Sequence, residues 1–519
     1  MTSHGRPRSR RRGPMASSAL ATFGGRTARA PHGCRRTPRR ARTWYNERML
    51  RARLTLALGL VLVAAGVIGF AMADRGLRIE SARVGPVPLQ LFRPVDDAHG
   101  AARPVVVVAH GYAGSGRLMR PFADTLARRG YLVALPDLAG HGANPERLTE
   151  QALDRELAAV VRFVRALPDA DPARVALVGH SMGAAAVVRV GAADQTIAAT
   201  VAISIGDDAS AAVRPGPRHL LGIYGAFEPA GIGVSERATG ADRVVAVPLV
   251  EHIGVLFADR THHETARWLD RVLNHSPERS VIAAKGRLIP GGLTLLGGLL
   301  TVVGTLLLRR TATARAPLDR DRLGLRLGAV LVAPVLGELA GVALTYALPN
   351  TVTGYLTGYL AGCGSALAVA ALLIRRPPRP ARPALTSVGG AALLAVVTLA
   401  VVVLPVHVGL TDVVPHGPDW WVIAVLALAV GALLAGAHAL LPTPWDSGAV
   451  LALCLPMPVA SLIGAAPGFL ALISPLIMVL IVLHLAVYAA AGRPWWQTIP
   501  AGALTVAWPV AVVLPVLGR

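Results

Sequence analysis

A serine with glycine two residues away on either side, Gly179-His180-Ser181-Met182-Gly183, is the stretch of this 519-residue chain best suited to chemistry. It follows the apolar run 175–178 and precedes the alanine- and valine-rich run 184–188, which predicts a strand, one sharp turn and then a helix. A serine hydroxyl becomes a usable nucleophile only when the fold pushes it out toward a base. A turn that tight crowds its neighbours, so the flanking positions call for glycine.

The elements that must position this turn alternate along the chain. Residues 104–109 form a short, fully apolar, β-branched run, as expected of a strand buried on both faces, and they end in His110-Gly111-Tyr112-Ala113-Gly114-Ser115. Helical spacing follows over 118–129 and stops at Gly130. A strand at 131–135 leads into Pro136-Asp137-Leu138-Ala139-Gly140-His141-Gly142. An amphipathic helix over 148–167 places Leu153, Leu157, Val160, Val161, Val164 and Leu167 on one face. Further strands are expected at 198–204, 219–224 and 244–250, with a final helix over 264–273. Alternating strands and helices imply an α/β fold with a doubly wound, mostly parallel sheet.

These residues resemble the α/β-hydrolase superfamily, most closely its dienelactone-hydrolase-like and esterase-like members, over roughly 80–276. The resemblance implies a Ser-His-acid triad with Ser181 as nucleophile. It also implies an oxyanion hole built from the backbone N–H groups of Met182 and of Tyr112, each worth roughly 3 kcal/mol to the tetrahedral intermediate. The Asp137–Gly142 turn looks like the family's D-x-x-G-H-G loop, whose role there is structural.

Family chain order is nucleophile, acid, histidine. Glu228, in Gly225-Ala226-Phe227-Glu228, stands where relatives usually carry G-x-x-D and is the expected acid, with Asp207 and Asp208 as rivals. His252 follows the last expected strand and is the expected base, while His262 and His263 open the final helix one turn too late. Such a triad acts by two-step acyl transfer and needs no cofactor or metal. Cys34, Cys363 and Cys454 all lie outside the hydrolase-like region, so cysteine usage there does not report a redox compartment. Only about fourteen residues separate the strands ending at Ser204 and beginning at His219, leaving no room for an inserted cap domain.

The remaining chain reads as membrane protein. Hydrophobic residues make up 53% of the sequence and charged residues 16%. An apolar run at 54–73 is long enough to cross about 30 Å of hydrocarbon as a signal-anchor. After the hydrolase-like segment (76–276), runs near 288–308, 327–347, 354–374, 386–406, 420–441, 447–464, 467–490 and 498–517 complete nine candidate spans within a polytopic region over 287–519. Pro456, Pro458 and Pro467 make the seventh and eighth runs candidates for a broken or re-entrant segment. Glu338, His438 and His484 lie within such runs, where an ionisable group marks either a functional site or a single interhelical hydrogen bond.

Arginine sets the expected orientation. Residues 1–53 carry fifteen arginines against one acid, Glu47, and supply fourteen of the chain's net +22 charges. Arginines also crowd 309–326 and 375–382, whereas 348–353 and 407–419 contain neither arginine nor lysine. Basic flanks stay in the cytoplasm, which puts the hydrolase-like segment outside the cytoplasmic membrane of a multi-pass protein. The basic tail at 1–53 is read as a disordered cytoplasmic segment or a misassigned start, Met49 being the alternative, and Ala71-Met72-Ala73 offers a signal-cleavage pattern. The expected partners are a small-molecule or lipid-borne acyl substrate and membrane lipid, with no nucleic acid and no protein partner inferable. Three functions stay open: a membrane-anchored serine hydrolase of esters or thioesters, an acyltransferase to a cell-envelope acceptor, and a transport or assembly protein with a hydrolase-like binding domain.

Overall fold

Two short apolar runs, 104–109 and 175–178, lie side by side at the centre of an eight-stranded sheet. The computed structural model describes residues 38–95, 102–206, 215–228, 237, 239–277, 279–309, 322–374, 385–492, 494–515 and 517. Asp207, Asp208 and the basic loops within 310–321 and 375–384 lie outside these, as does most of the basic tail. Met49–Arg519 clusters as one compact unit.

The strands are β1 (Leu77–Val84), β2 (Val87–Pro94), β3 (Arg103–Ala109), β4 (Leu132–Pro136), β5 (Ala170–His180), β6 (Ala199–Ile203), β7 (Leu220–Gly225) and β8 (Arg243–Val247), in the order β1-β2-β4-β3-β5-β6-β7-β8. From β4 to β8 every pairing is parallel, while β1 and β2 form an antiparallel hairpin on one edge. That hairpin turns at Gly85, whose φ of 58° suits a residue without a Cβ. Strand β8 is shorter than its apolar run suggests. Pro248 has no N–H to continue the ladder, and Leu249 turns the chain away with a φ of 61°.

Strand periodicity divides the core between the two sheet faces. Val106, Val108, Ala176 and Val178 pack on one face with Phe122 and Leu126 of α2 (Arg120–Ala127) and Leu269 of α5 (Asp259–Val272). Val105, Val107, Val175 and Leu177 pack on the other with Leu153, Leu157 and Val160 of α3 (Glu150–Arg165) and Val187 of α4 (Met182–Ala193). The Thr149 side chain caps α3 by accepting from the Ala152 N–H at 3.1 Å. Each fully buried leucine, Leu157 for one, contributes about 2 kcal/mol of apolar burial.

Among the described residues, eight helices are long and apolar enough to cross a membrane. They comprise residues Tyr45–Ala73 of α1 (Pro38–Ala73), then α6 (Leu288–Arg309), α7 (Leu323–Leu344), α8 (Thr351–Ile374), α9 (Leu385–Gly409), α10 (Asp419–Leu440), the broken span Trp445–Leu462, and α13 (Phe469–Ala491). The broken span consists of α11 (Trp445–Cys454) and α12 (Pro456–Leu462), interrupted at Leu455 just before the first proline. The expected ninth span is shorter than its sequence run: α14 (Ile499–Val513) has only 15 residues, too few for a full crossing. Small residues bring the helix backbones close together. A Cβ on Gly297 would lie 2.7 Å from the Gly59 carbonyl oxygen, and one on Gly358 would lie 2.2 Å from that of Ala340.

Asp74, directly after α1, ties the helical and α/β parts together. Its Oδ1 accepts from Arg120 at 2.5 Å and from Arg287 at 2.6 Å, and Arg287 also donates to the Val408 carbonyl at 3.1 Å.

Candidate active site

The sheet register brings the functional loops together. Ala109 pairs with Gly179, Gly179 with Ala202, Ile203 with Ile223, and Gly225 with Val247, so the carboxyl ends of β3, β5, β6, β7 and β8 lie in one row. Loops leaving this edge supply every residue of the site, as expected for an open parallel sheet.

Ser181 sits between β5 and α4 at φ 52° and ψ −116°, a conformation that L-residues rarely adopt. The flanking glycines make it achievable. A Cβ on Gly179 would come within 2.3 Å of the Gly183 carbonyl oxygen, and one on Gly183 would come within 2.5 Å of the His110 carbonyl oxygen. These contacts are with backbone, which cannot yield as a flexible side chain would.

Ser181 Oγ lies 3.0 Å from His252 Nε2, and His252 Nδ1 lies 2.9 Å from Glu228 Oε2. A carboxylate can only accept, so Nδ1 carries the ring proton and Nε2 is left to accept from the serine hydroxyl. The Glu228 side chain is fully buried and that of His252 is 10% exposed. The second oxygen of Glu228 is also engaged: Oε1 accepts from the Gly225 N–H at 2.7 Å and from the Ser204 hydroxyl at 2.5 Å. The structure thus brings Ser181, His252 and Glu228 into one chain of hydrogen bonds.

The competing residues have other places. His262 is buried against the Phe122 ring at 4.1 Å between centroids, with Nε2 donating to the Leu256 carbonyl at 2.8 Å, and His263 is exposed. Burial holds the His262 imidazole down to about 4, the range of a neutral structural ring.

Met182 is the first residue of α4, where an N–H has no intrahelical acceptor. Tyr112 lies in the loop after β3, and two buried histidines shape that loop. His110 donates from Nδ1 to the Gly111 carbonyl at 2.9 Å and accepts the Leu138 N–H at Nε2 at 3.0 Å. His141 donates from Nδ1 to the Ala139 carbonyl at 2.9 Å and accepts the Ala113 N–H at Nε2 at 3.2 Å. Both rings are locked neutral: burial lowers His110 to about 4, and burial followed by repulsion from His110 lowers His141 to about 3. Asp137 stitches the same region, accepting from Gly116 N–H at 2.8 Å and from Ala143 N–H at 3.2 Å.

Two contributors escape a reading of the sequence. Ser204 directly follows β6 at a φ of 55° with its hydroxyl on Glu228, and only its place beside a strand terminus could have marked it. His180 lies inside the glycine-serine motif itself, and its Nε2 donates to the His252 carbonyl at 2.9 Å, fixing the backbone that carries the base.

The ionisable groups of the long helices lie elsewhere. Tyr355 donates to Glu338 at 2.5 Å, and His438 pairs with Asp446 at 2.7 Å beside Tyr488, which also donates to Asp446 at 2.9 Å. His484 is buried against Gly502 and stacks on Tyr488. Among the described residues no group of three His, Cys, Asp or Glu side chains is placed to hold a metal.

Comparison with known proteins gives matches to part of the chain. Residues 100–229 match the family model described as serine aminopeptidase, S33. An uncharacterised protein of Mycobacterium tuberculosis is 33% identical over 149 residues, covering 25% of this chain and 53% of that protein. The quorum-quenching protein AidA of Acinetobacter baumannii is 31% identical over 117 residues, 21% of this chain and 37% of the other. The chain therefore spans about half the length, or less, of these relatives. Among solved structures, the dienelactone hydrolase of Anabaena variabilis aligns at 21% identity and a TM-score of 0.32, over 39% of this chain and all 100% of that one.

Proposed function

We propose that this protein is a membrane-anchored serine hydrolase that cleaves an ester or thioester through an acyl-enzyme, with its α/β domain outside the cytoplasmic membrane. The observation that carries the reading is the continuous relay from Ser181 through His252 to Glu228, at 3.0 and 2.9 Å. His252 takes the Ser181 proton as the oxygen attacks the substrate carbonyl, and the N–H groups of Met182 and Tyr112 hold the oxyanion. The imidazolium then protonates the departing alcohol or thiol, and Glu228 stabilises it throughout. In the second half, His252 deprotonates water, which attacks the acyl-enzyme and releases the acid.

An apolar rim supports an apolar acyl chain as substrate. Phe227 and Leu249, the neighbours of the acid and base loops, are 67% and 79% exposed, and Ile253 beside the base is 37% exposed. Orientation outside the membrane draws on the arginine-poor loops. The α/β domain touches the helical part at Asn350, Thr411 and Asp412, all within or beside segments lacking arginine and lysine.

The test is a fluorophosphonate probe combined with a substrate panel on the detergent-purified full chain. Wild type is expected to be labelled and Ser181→Ala to be silent, and equal labelling of both would remove the hydrolase reading. p-Nitrophenyl esters of rising chain length should be cleaved in preference to aminoacyl p-nitroanilides, whose turnover alone would point to peptide bonds instead. Phe227→Asp should raise KM for the longer esters while sparing acetate.

A further inference from the structure

The loop that carries Tyr112 is weakly specified by its own sequence: Gly111 and Gly114 bracket it, and Ala113 sits at a φ of 59°. Its backbone nonetheless has to aim one N–H at a single point in space. An oxyanion donor that drifts by a few tenths of an ångström loses much of its stabilisation.

Outer ends of the membrane helices hold this loop from the side away from the sheet. Asn350, just before α8, donates from Nδ2 to the Tyr112 hydroxyl at 2.7 Å. The Phe469 ring at the start of α13 packs edge-on against the Tyr112 ring at 4.8 Å. Three residues further along, Ser115 Oγ accepts from the Asp412 N–H at 3.0 Å and lies 3.0 Å from Thr411 Oγ1, in the segment joining α9 and α10. Asn350 is itself immobilised. It is 3% exposed, its Oδ1 accepts from the Val352 N–H at 2.9 Å, and its Nδ2 also donates to the Pro515 carbonyl at 3.0 Å.

Resting on the proposed acyl-enzyme chemistry, we propose that Asn350 is a positioning residue: through the Tyr112 hydroxyl, the membrane domain sets the oxyanion hole of the α/β domain. The membrane helices thereby supply from outside the sheet a constraint that the short Ser204–His219 connection does not supply from within. Activity depends on the arrangement of the helix ends at Asn350, Thr411 and Phe469, and the α/β domain separated from them has a misaimed Tyr112 N–H.

The experiment uses the full chain in detergent, with a p-nitrophenyl ester as substrate and a trifluoromethyl ketone as a probe of the tetrahedral oxyanion. Tyr112→Phe and Asn350→Ala should each lower kcat about fivefold, the worth of one hydrogen bond, with KM unchanged. Ketone affinity should fall by the same factor. The double variant should be no slower than the worse single one, because both substitutions cut the same link. Asn350→Asp loses the donor to both the tyrosine hydroxyl and the Pro515 carbonyl and should be no faster than Asn350→Ala. If Asn350→Ala does not fold, the kcat against KM behaviour of Tyr112→Phe decides alone. Wild-type kcat and ketone affinity in Tyr112→Phe, or multiplicative losses in the double variant, would overturn the positioning role. Ester turnover that survives Ser181→Ala would instead remove the acyl-enzyme chemistry itself, so the two failures are told apart.

Discussion

Ser204 holds Glu228 from the side opposite His252: its hydroxyl donates to Oε1 at 2.5 Å while Oε2 faces His252 Nδ1 at 2.9 Å. The carboxylate is clamped between β6 and the loop after β8, and the Gly225 N–H closes the third side at 2.7 Å. Donors on both carboxylate oxygens hold the Glu228 side chain in one orientation.

Loosening the clamp should cost rate and leave substrate binding alone. Ser204→Ala is expected to lower kcat about tenfold, as a hydrogen bond to a charged group is worth about 1.5–3 kcal/mol and part of it is felt in orientation. Glu228→Gln, which cannot hold the imidazolium, should be more severe, on the order of a thousandfold or more. Steady-state kinetics on p-nitrophenyl butyrate check both, and a Glu228→Gln enzyme with wild-type kcat would put the acid elsewhere.

The glycines flanking Ser181 should tolerate nothing larger. In Gly183→Ala the new methyl would sit 2.5 Å from the His110 carbonyl oxygen and 2.6 Å from that of Ala109, at the junction of β3 with the oxyanion loop. Overpacking of this kind costs about 1–3 kcal/mol, and here it also displaces the nucleophile. Thermal unfolding and fluorophosphonate labelling should both deteriorate, with labelling lost even where the protein remains folded.

Acid should weaken the α/β domain in a defined window. His110 titrates near 4 in the fold against 6.5 when exposed, because burial disfavours its charged form. Between those values the unfolded chain binds a proton that the folded chain refuses. Stability is thus complete above pH 6.5 and is lost as pH falls, by about 3 kcal/mol at pH 4 from His110 alone. His141, held to about 3, extends the loss in the same direction. The melting temperature measured from pH 7.5 to 4 should drop more steeply in wild type than in His110→Gln, whose side chain does not titrate. Parallel curves would refute the assignment.

Topology can be read with single cysteines in a background lacking Cys34, Cys363 and Cys454. Ala173→Cys, on an exposed part of β5, should react with a membrane-impermeant maleimide in intact cells, and Thr313→Cys only after permeabilisation. The reverse pattern would place the α/β domain in the cytoplasm and direct attention to intracellular thioesters. Protection of both would mean an altered number of crossings before residue 313.

What the chain by itself determines is local and periodic. The short apolar runs 104–109 and 175–178, each ending at a glycine-containing turn, read as strands buried on both faces, and the glycine spacing around Ser181 follows from backbone crowding that no side chain relieves. The long apolar runs are legible for the same reason, since length and uniform hydropathy need no partner to be recognised. Order along the chain alone does not rank Glu228 and His252 over Asp207, Asp208, His262 and His263, which also follow Ser181; the expectation rests on the places of Glu228 and His252 directly after strands.

Tertiary structure decided whatever depends on groups far apart in sequence. Ser204 reaches Glu228 across 24 residues and His180 reaches His252 across 72, and neither has a local pattern to announce it. Asn350 meets Tyr112 across 238 residues, between two domains whose sequences carry no sign of each other. The shortness of α14 was equally out of reach, because hydropathy reports that a segment is apolar, whereas where its helix ends is set by the packing of its neighbours. A hydrogen bond constrains two positions and leaves the residues between them free, so such links appear only once the chain is folded.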